Sequence, residues 1–455
     1  MVDLIMNDIL GTPAILVGLF ALIGLLAQKK NSSDVVSGTL KTVMGFVILG
    51  AGANVIVQTL GQFSSMFDEA FAVSGVIPNN EAIVALAQTS FGTETAMIML
   101  FGMVVNIILA RFTPFKYIFL TGHHTMFMAC LIAVILITGG FSGIPMVIFG
   151  SIILGALMVL FPAMLQPFTR KITGSDDFAI GHFGSVGYLV SSLVGKAVGK
   201  NSRSTEEIKV PKSLGFLRDT SVSVSLTMVI LFFAVALFAG PAFIETELSG
   251  GQNFLVFAFM QGLTFAAGVY IILAGVRMLL GEIVPAFKGI ADKVVPNAKP
   301  ALDCPAIFPF ASTAVVIGFL FSFIAGLISM LFLPLLGLSV IVPGLVPHFF
   351  TGAAAGVFGN ATGGRRGAIL GSMANGVMIS FLPALLLPVL GSLGFQGTTF
   401  GDSDFGVVGI ALGNLINFVD SNIFVVVITL ALFAIPFLIG WKMKGNKKAD
   451  SSEVA

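Results

Sequence analysis

Hydrophobic positions along the chain come in long unbroken runs rather than in alternation or in narrow helical stripes. Eleven apolar stretches are long enough to read as membrane spans, for which about 20 apolar residues suffice. They are Thr12–Gln28, Gly38–Leu60, Thr95–Ala110, Tyr117–Thr138, Pro145–Leu165, Ser221–Phe243, Phe254–Leu280, Thr313–Leu333, Ser339–Phe358, Ala368–Leu390 and Asn422–Trp441. Four shorter segments are apolar but unsuited to crossing. Gly181–Val194 and Gly406–Ile416 are Gly-rich and led by acids, while Ile83–Gly92 and Pro305–Ser312 are broken by Gly or Pro. Backbone interrupted at membrane depth is tolerated where it is buried in protein or lines a wet cavity, so these segments are expected to be re-entrant. Gln62–Phe71 and Glu282–Val295 look amphipathic and are expected along the membrane surfaces. The pattern predicts an all-α polytopic membrane protein of about 11 transmembrane helices.

The two halves resemble each other. Phe161-Pro-Ala-Met-Leu-Gln-Pro167 matches Leu382-Pro-Ala-Leu-Leu-Leu-Pro388, and Ser175-Asp-Asp-Phe178 matches Asp402-Ser-Asp-Phe405. Leu60-Gly61 with Phe67 parallels Leu280-Gly281 with Phe287, at a common offset of about 220–227 residues. Five spans per copy is an odd number, so the second copy enters the membrane from the other face, as in many transporters. The expected organisation is a first repeat with its basic loop over 1–215, an inverted repeat over 216–418, an eleventh span over 419–441 and a tail over 442–455. Span one has no basic residues ahead of its apolar run and no cleavage site, so it reads as a retained helix rather than a signal peptide.

Composition narrows the function. Hydrophobic residues make up 56% of the chain and charged ones 10%, too few for a soluble shell. Mean hydropathy is +1.03. A net charge of +1 gives no electrostatic support for nucleic acid. With the N-terminus outside and the C-terminus in the cytoplasm, all 23 Lys and Arg fall on the cytoplasmic side, as the positive-inside rule requires. The opposite loops then carry acids such as Asp68, Glu69, Glu245, Glu247 and Asp402. Cys130 and Cys304 form no CxxC or zinc-type spacing. No nucleotide-binding or catalytic fingerprint occurs, so no cofactor is expected and transport is not driven by ATP hydrolysis in this chain.

Polar residues inside apolar segments are the candidates for a binding site. His123, in Thr121-Gly-His-His-Thr125, and His182, in Ile180-Gly-His-Phe-Gly184, each offer a donor and an acceptor. Asp303, in Ala301-Leu-Asp-Cys-Pro-Ala306, is suited equally to adjacent sugar hydroxyls and to capping the next helix. Asn80 and Glu81 precede one interrupted segment, and Glu94 follows it. His124 points to another face than His123, His348 reads as structural, and Arg365-Arg366 reads as a cytoplasmic anchor.

The ordered segments Leu120-Thr-Gly-His123, Ala179-Ile-Gly-His182, Gly275-Val-Arg-Met278, Ala301-Leu-Asp-Cys304, Ile341-Val-Pro-Gly344 and Gly356-Val-Phe-Gly-Asn360 resemble a known family. It is enzyme IIC, the membrane permease of the bacterial phosphoenolpyruvate-dependent phosphotransferase system, in its L-ascorbate branch. The resemblance implies a homodimer that binds a small carbohydrate between re-entrant segments. Phosphate would come from a separate cytoplasmic IIB protein, itself recharged by a IIA protein. About 14 residues follow Trp441, so neither partner is expected to be fused. The resemblance also implies the substrate site: Asn80, Glu81, His123, Phe127, His182, Phe183 and Asp303. Where the ascorbate type carries glutamines, this chain has Phe127 and Met128 after the first histidine motif and Phe183 after the second. That leaves a pentose or polyol beside ascorbate as substrate. The alternative function is an H⁺- or Na⁺-coupled carrier using Glu81, Glu94 or Asp303.

Overall fold

The computed structural model describes residues 12–71, 75–208, 220–293, 295–391, 399–418, 426–427 and 429–439. Helices dominate, in the order α1 (Pro13–Ala27), α2 (Ser32–Phe71), α3 (Asn80–Phe112), α4 (Gly122–Thr138), α5 (Gly143–Thr173) and α6 (Ser185–Val198). They continue with α7 (Thr220–Ala239), the single turn α8 (Pro241–Phe243), α9 (Phe254–Lys293), α10 (Ser312–Phe332), α11 (Leu345–Gly391) and α12 (Ser403–Phe418). A further apolar helix covers Thr429–Ile439.

Among the described residues, six helices are long and apolar enough to cross a membrane. They are α2, Phe91–Phe112 of α3, α5, Phe254–Ile283 of α9, α10 and α11. Val224–Ala239 and Pro241–Leu248, bent by 100°, make a seventh if taken as one span. The eleven expected spans therefore map unevenly onto the helices. The first and fourth fall on the short helices α1 and α4, and the ninth and tenth fuse into the 47-residue α11. Such a helix would be about 70 Å long if straight, more than twice the hydrocarbon thickness. It breaks at Gly364, with φ 56° and ψ −146°, a conformation that suits glycine. Gly359 and Gly367 meet across the break so closely that a Cβ on Gly359 would lie 2.2 Å from the Gly367 carbonyl oxygen. The Arg365 N–H donates to Arg203 O, and its guanidinium donates to Ser204 O and Glu207 O, pinning the turn to the 199–207 loop.

The helices pack in three groups. α1, α2, α7 and α9 lie together, α6 and α10 pack on α11, and α3 and α4 pack on α5. Gln62–Phe71 continues α2, and Glu282–Lys293 continues α9, rather than forming separate surface helices.

One expectation needs correction: the chain is not purely helical. Three short strands, β1 (Tyr117–Phe119), β2 (Ala179–Ile180) and β3 (Lys299–Leu302), form a parallel sheet in the order β1-β3-β2. Tyr117, Ile118 and Phe119 pair with Lys299, Pro300 and Ala301, while Ala179 and Ile180 pair with Ala301 and Leu302. The ladder exists because extended backbone deep in an apolar fold must find partners for its N–H and C=O groups. The outer edge of β1 is closed by a side chain. Buried Asn106 donates from Nδ2 to Tyr117 O and accepts the Phe119 N–H at Oδ1, both at 3.1 Å, as another strand would. Just past β2, Gly181 lies against β3, where a Cβ would stand 2.7 Å from the Ala301 carbonyl oxygen.

Candidate functional site

The three strands run in one direction, and each leads at its carboxyl end into a candidate residue. His123 follows β1 at the start of α4, His182 follows β2 just ahead of α6, and Asp303 follows β3 directly. Neighbouring strands are about 4.8 Å apart, so the sheet by itself brings the three side chains together. The loops are tied to one another as well: the Thr121 hydroxyl donates to Gly181 O, and the Gly181 N–H donates to Leu302 O at 2.7 Å.

Asp303 is the centre. Its backbone is extended, and its Oδ1 accepts the Cys304 N–H at 2.7 Å, capping the 3₁₀ turn Cys304–Phe310. The same carboxylate stands between two imidazoles, with His182 Nε2 3.7 Å from Oδ1 and His123 Nε2 3.6 Å from Oδ2. Those separations exceed a direct hydrogen bond, and a polar atom beside either pair could bond to both of its partners. His182 is held from behind, its Nδ1 2.9 Å from the Tyr188 hydroxyl, and Tyr188 stacks on Phe358. With Nδ1 accepting from Tyr188, the Nε2–H of His182 points at Asp303. Capping and facing a ligand are therefore compatible roles for Asp303, because a carboxylate has lone pairs for several donors.

These groups open onto a cavity of about 460 Å³, a size that suits a small carbohydrate. One wall is α2, which presents Phe46, Leu49, Gly50, Ala53, Asn54, Val57, Leu60, Gly61 and Ser64, spaced three and four apart as one helix face. Opposite are His123, His124, Phe127, His182 and Asp303, with 77–80, 344–347 and Asp402 around one end. The lining is mostly apolar with few convergent polar groups.

Asn80 is tied down at that end of the cavity. Its Nδ2 donates to Asp402 Oδ2 at 2.7 Å, and its Oδ1 accepts the Gly401 N–H at 2.8 Å. Two residues on, the Asp404 carboxylate accepts the Ser185 and Val186 N–H groups at 2.8 Å each, capping α6 from α12. A negative group there satisfies orphan donors and complements the helix dipole. It also fixes the backbone just after His182.

At the amino ends of the strands lies a separate ionic cluster. Asp176 accepts from Gln166 Nε2 at 2.6 Å, from the Arg170 guanidinium at 3.1 Å and from Lys299, the first residue of β3. Burial alone would raise the Asp176 carboxyl, but these donors outweigh it and hold it below the usual aspartate range.

Of the sequence-predicted site residues, the structure brings Asn80, His123, Phe127, His182 and Asp303 around one cavity. Phe183 is elsewhere. It is fully buried, stacked on Phe119 at 5.0 Å and packed against Phe161 and Phe405. The Glu81 side chain lies outside the described residues, and Glu94 is not on the cavity wall. His348 bonds Ser322 Oγ through Nδ1 at 2.9 Å, joining α11 to α10. Sequence reasoning missed Asn54, Asp402 and Tyr188, and it turned His124 to another face, whereas His124 lines the cavity beside His123. Asn54 carried a signal, as a lone amide in an apolar run.

The family described as PTS system sugar-specific permease component matches residues 8–404. An ascorbate-specific PTS system EIIC component of Mycoplasma pneumoniae is 30% identical over 422 residues, covering 80% of this chain. The chain spans 63% of that relative's length. With a family match across most of its length and several membrane-crossing helices, the chain belongs to the sugar-specific permease components of the phosphotransferase system and is a multi-pass membrane protein.

Proposed function

We propose that this protein is the permease subunit through which ascorbate or a related small carbohydrate enters the cell, with phosphate added by a separate IIB protein that a IIA protein recharges. One observation carries the reading: a carboxylate flanked by two imidazoles on the wall of a cavity of about 460 Å³. Neighbouring sugar hydroxyls would donate to Asp303 and bridge to His123 and His182, while Phe46, Leu49 and Phe127 cover the apolar faces of the ring. The relative's ascorbate specificity supports the substrate class. Phe127 on the wall, in place of an amide, favours a ligand with fewer acceptors on that side.

In this reading the N-terminus is outside, the C-terminus is cytoplasmic and the chain works as a homodimer in the bacterial cell membrane. The inverted repeats span 1–215 and 216–418, with a last span over 419–441 and a tail over 442–455. Two features support the repeats: the first contributes β1 and β2 and the second inserts β3 between them, and Asn80 and Asp402 meet from opposite halves. In this orientation the cavity faces the exterior, since it runs along α2 away from Lys41 toward the loops at 77–80 and 344–347.

The experiment is uptake in cells with and without the IIB gene, with product analysis. The reading expects phosphorylated sugar inside and no accumulation without IIB. Free sugar concentrated inside the cell and released by a protonophore would establish the ion-coupled carrier instead.

A further inference from the structure

We propose that the wall of this site is also a transition-metal site, in which His123, His124 and Asp303 bind a zinc-class dication and leave one coordination position open to the cavity. One ligand atom from each of the three lies within 4.8 Å of the other two. The ligands of a tetrahedral zinc at ~2.0–2.1 Å stand about 3.3 Å apart, close to the 3.6 Å between His123 Nε2 and Asp303 Oδ2. Two imidazoles and a carboxylate are the donor set of zinc rather than of magnesium or calcium.

A second observation is independent of this spacing. His124 is buried, 4% exposed, yet it reaches the cavity wall. Its Nδ1 has no hydrogen-bond partner among the described residues. Its ring is fixed by a near-parallel stack on Phe405, with 8° between planes and 5.7 Å between centroids, so the orientation is set before a ligand arrives. His124 thus carries a ring nitrogen without a protein partner on a ring already held in place, and one of its two nitrogens falls within the cluster spacing. Behind it, the Asp303 carboxylate is oriented by the Cys304 N–H, the kind of outer contact that fixes metal ligands. A metal here takes Asp303 and His123 from the sugar, so the two compete. The competition rests on the sugar-site reading; the metal binding does not.

The test uses the purified full-length chain. Zn²⁺ is titrated calorimetrically, and Co²⁺ replaces it for visible absorption, which is strong in tetrahedral and weak in octahedral coordination. One metal per chain and a tetrahedral Co²⁺ spectrum are expected. Affinity should fall more than about tenfold in Asp303→Asn and in His124→Phe. Phenylalanine keeps the stack on Phe405, and His123→Gln provides the same test if His124→Phe fails to fold. Unchanged affinity in any folded variant of these three, or an octahedral spectrum, overturns the assignment. Ascorbate titrations with and without Zn²⁺ separate the two readings. Metal binding that leaves ascorbate affinity untouched counts against the shared site. Ascorbate binding lost in Asp303→Asn without any metal binding in the wild type counts against the metal alone.

Discussion

Replacing Asp303 by Asn removes a charge while keeping the shape, and the surroundings give the size of the effect. Asn caps helices about as well as Asp, so the bond to the Cys304 N–H should survive and folding with it. What is lost is charge assistance toward the ligand. Hydrogen bonds to a charged group contribute ~1.5–3 kcal/mol net against ~0.5–1.5 for neutral ones. Two hydroxyls donating to Asp303 thus lose about 2–3 kcal/mol in total, a fall in affinity of roughly 30- to 150-fold at about 1.4 kcal/mol per tenfold. Asp303→Ala should bind no better and should also melt earlier, by the ~1 kcal/mol that a cap usually contributes. The assay is calorimetry of purified protein with the tightest binder among ascorbate, pentoses and polyols, with recovery from size exclusion as folding control. Affinity within a factor of two of wild type in a well-folded Asp303→Asn would refute the assignment.

Other expectations are equally direct. Phe183→Gln should lower the melting temperature in detergent, because it buries an amide among Phe119, Phe161 and Phe405 at a cost of ~1–3 kcal/mol, whereas Phe127→Gln, at a residue also buried but bordering the cavity, should cost less stability and alter sugar preference. Equal melting of the two variants would disprove that contrast. Asn106→Leu should unsettle the sheet by roughly 2–5 kcal/mol, read as earlier unfolding, since two buried backbone groups of β1 lose their partners. A cysteine at Lys200 should resist an impermeant thiol reagent added outside intact cells; efficient labelling would invert the topology.

Much of this was legible because the bilayer imposes a length. An apolar run of about 20 residues has one cheap conformation in lipid, so the runs that became α2, α5, α9 and α10 announce themselves. The strands did not, because two to four residues cannot display a period of two. Pro300 in the central strand also argues against strand from sequence alone. Tyr117–Phe119 merged into an apparent span whose helix begins only at Gly122. His123, His182 and Asp303 were found as expensive polarity in apolar segments, and that cost does not depend on local structure. The position of Phe183 was beyond reach: it adjoins His182 but lies in the turn ahead of α6, and nothing in the sequence fixes which way that turn aims each side chain.

The sheet under the site has a consequence for how freely the sequence can drift. In a pocket assembled from separate helices, a tilt of any one of them displaces its ligand group, and the errors accumulate. Here the three candidate groups are measured from a common ruler whose graduations are backbone hydrogen bonds, indifferent to most side-chain changes. Lipid-facing helices can accept substitution after substitution, and tilt slightly with each, without blurring the distances from Asp303 to its two histidines. The intolerance to change is concentrated instead in a few small places: Asn106 at one margin of the ladder, and Gly181, where a single added methyl group would press on Ala301.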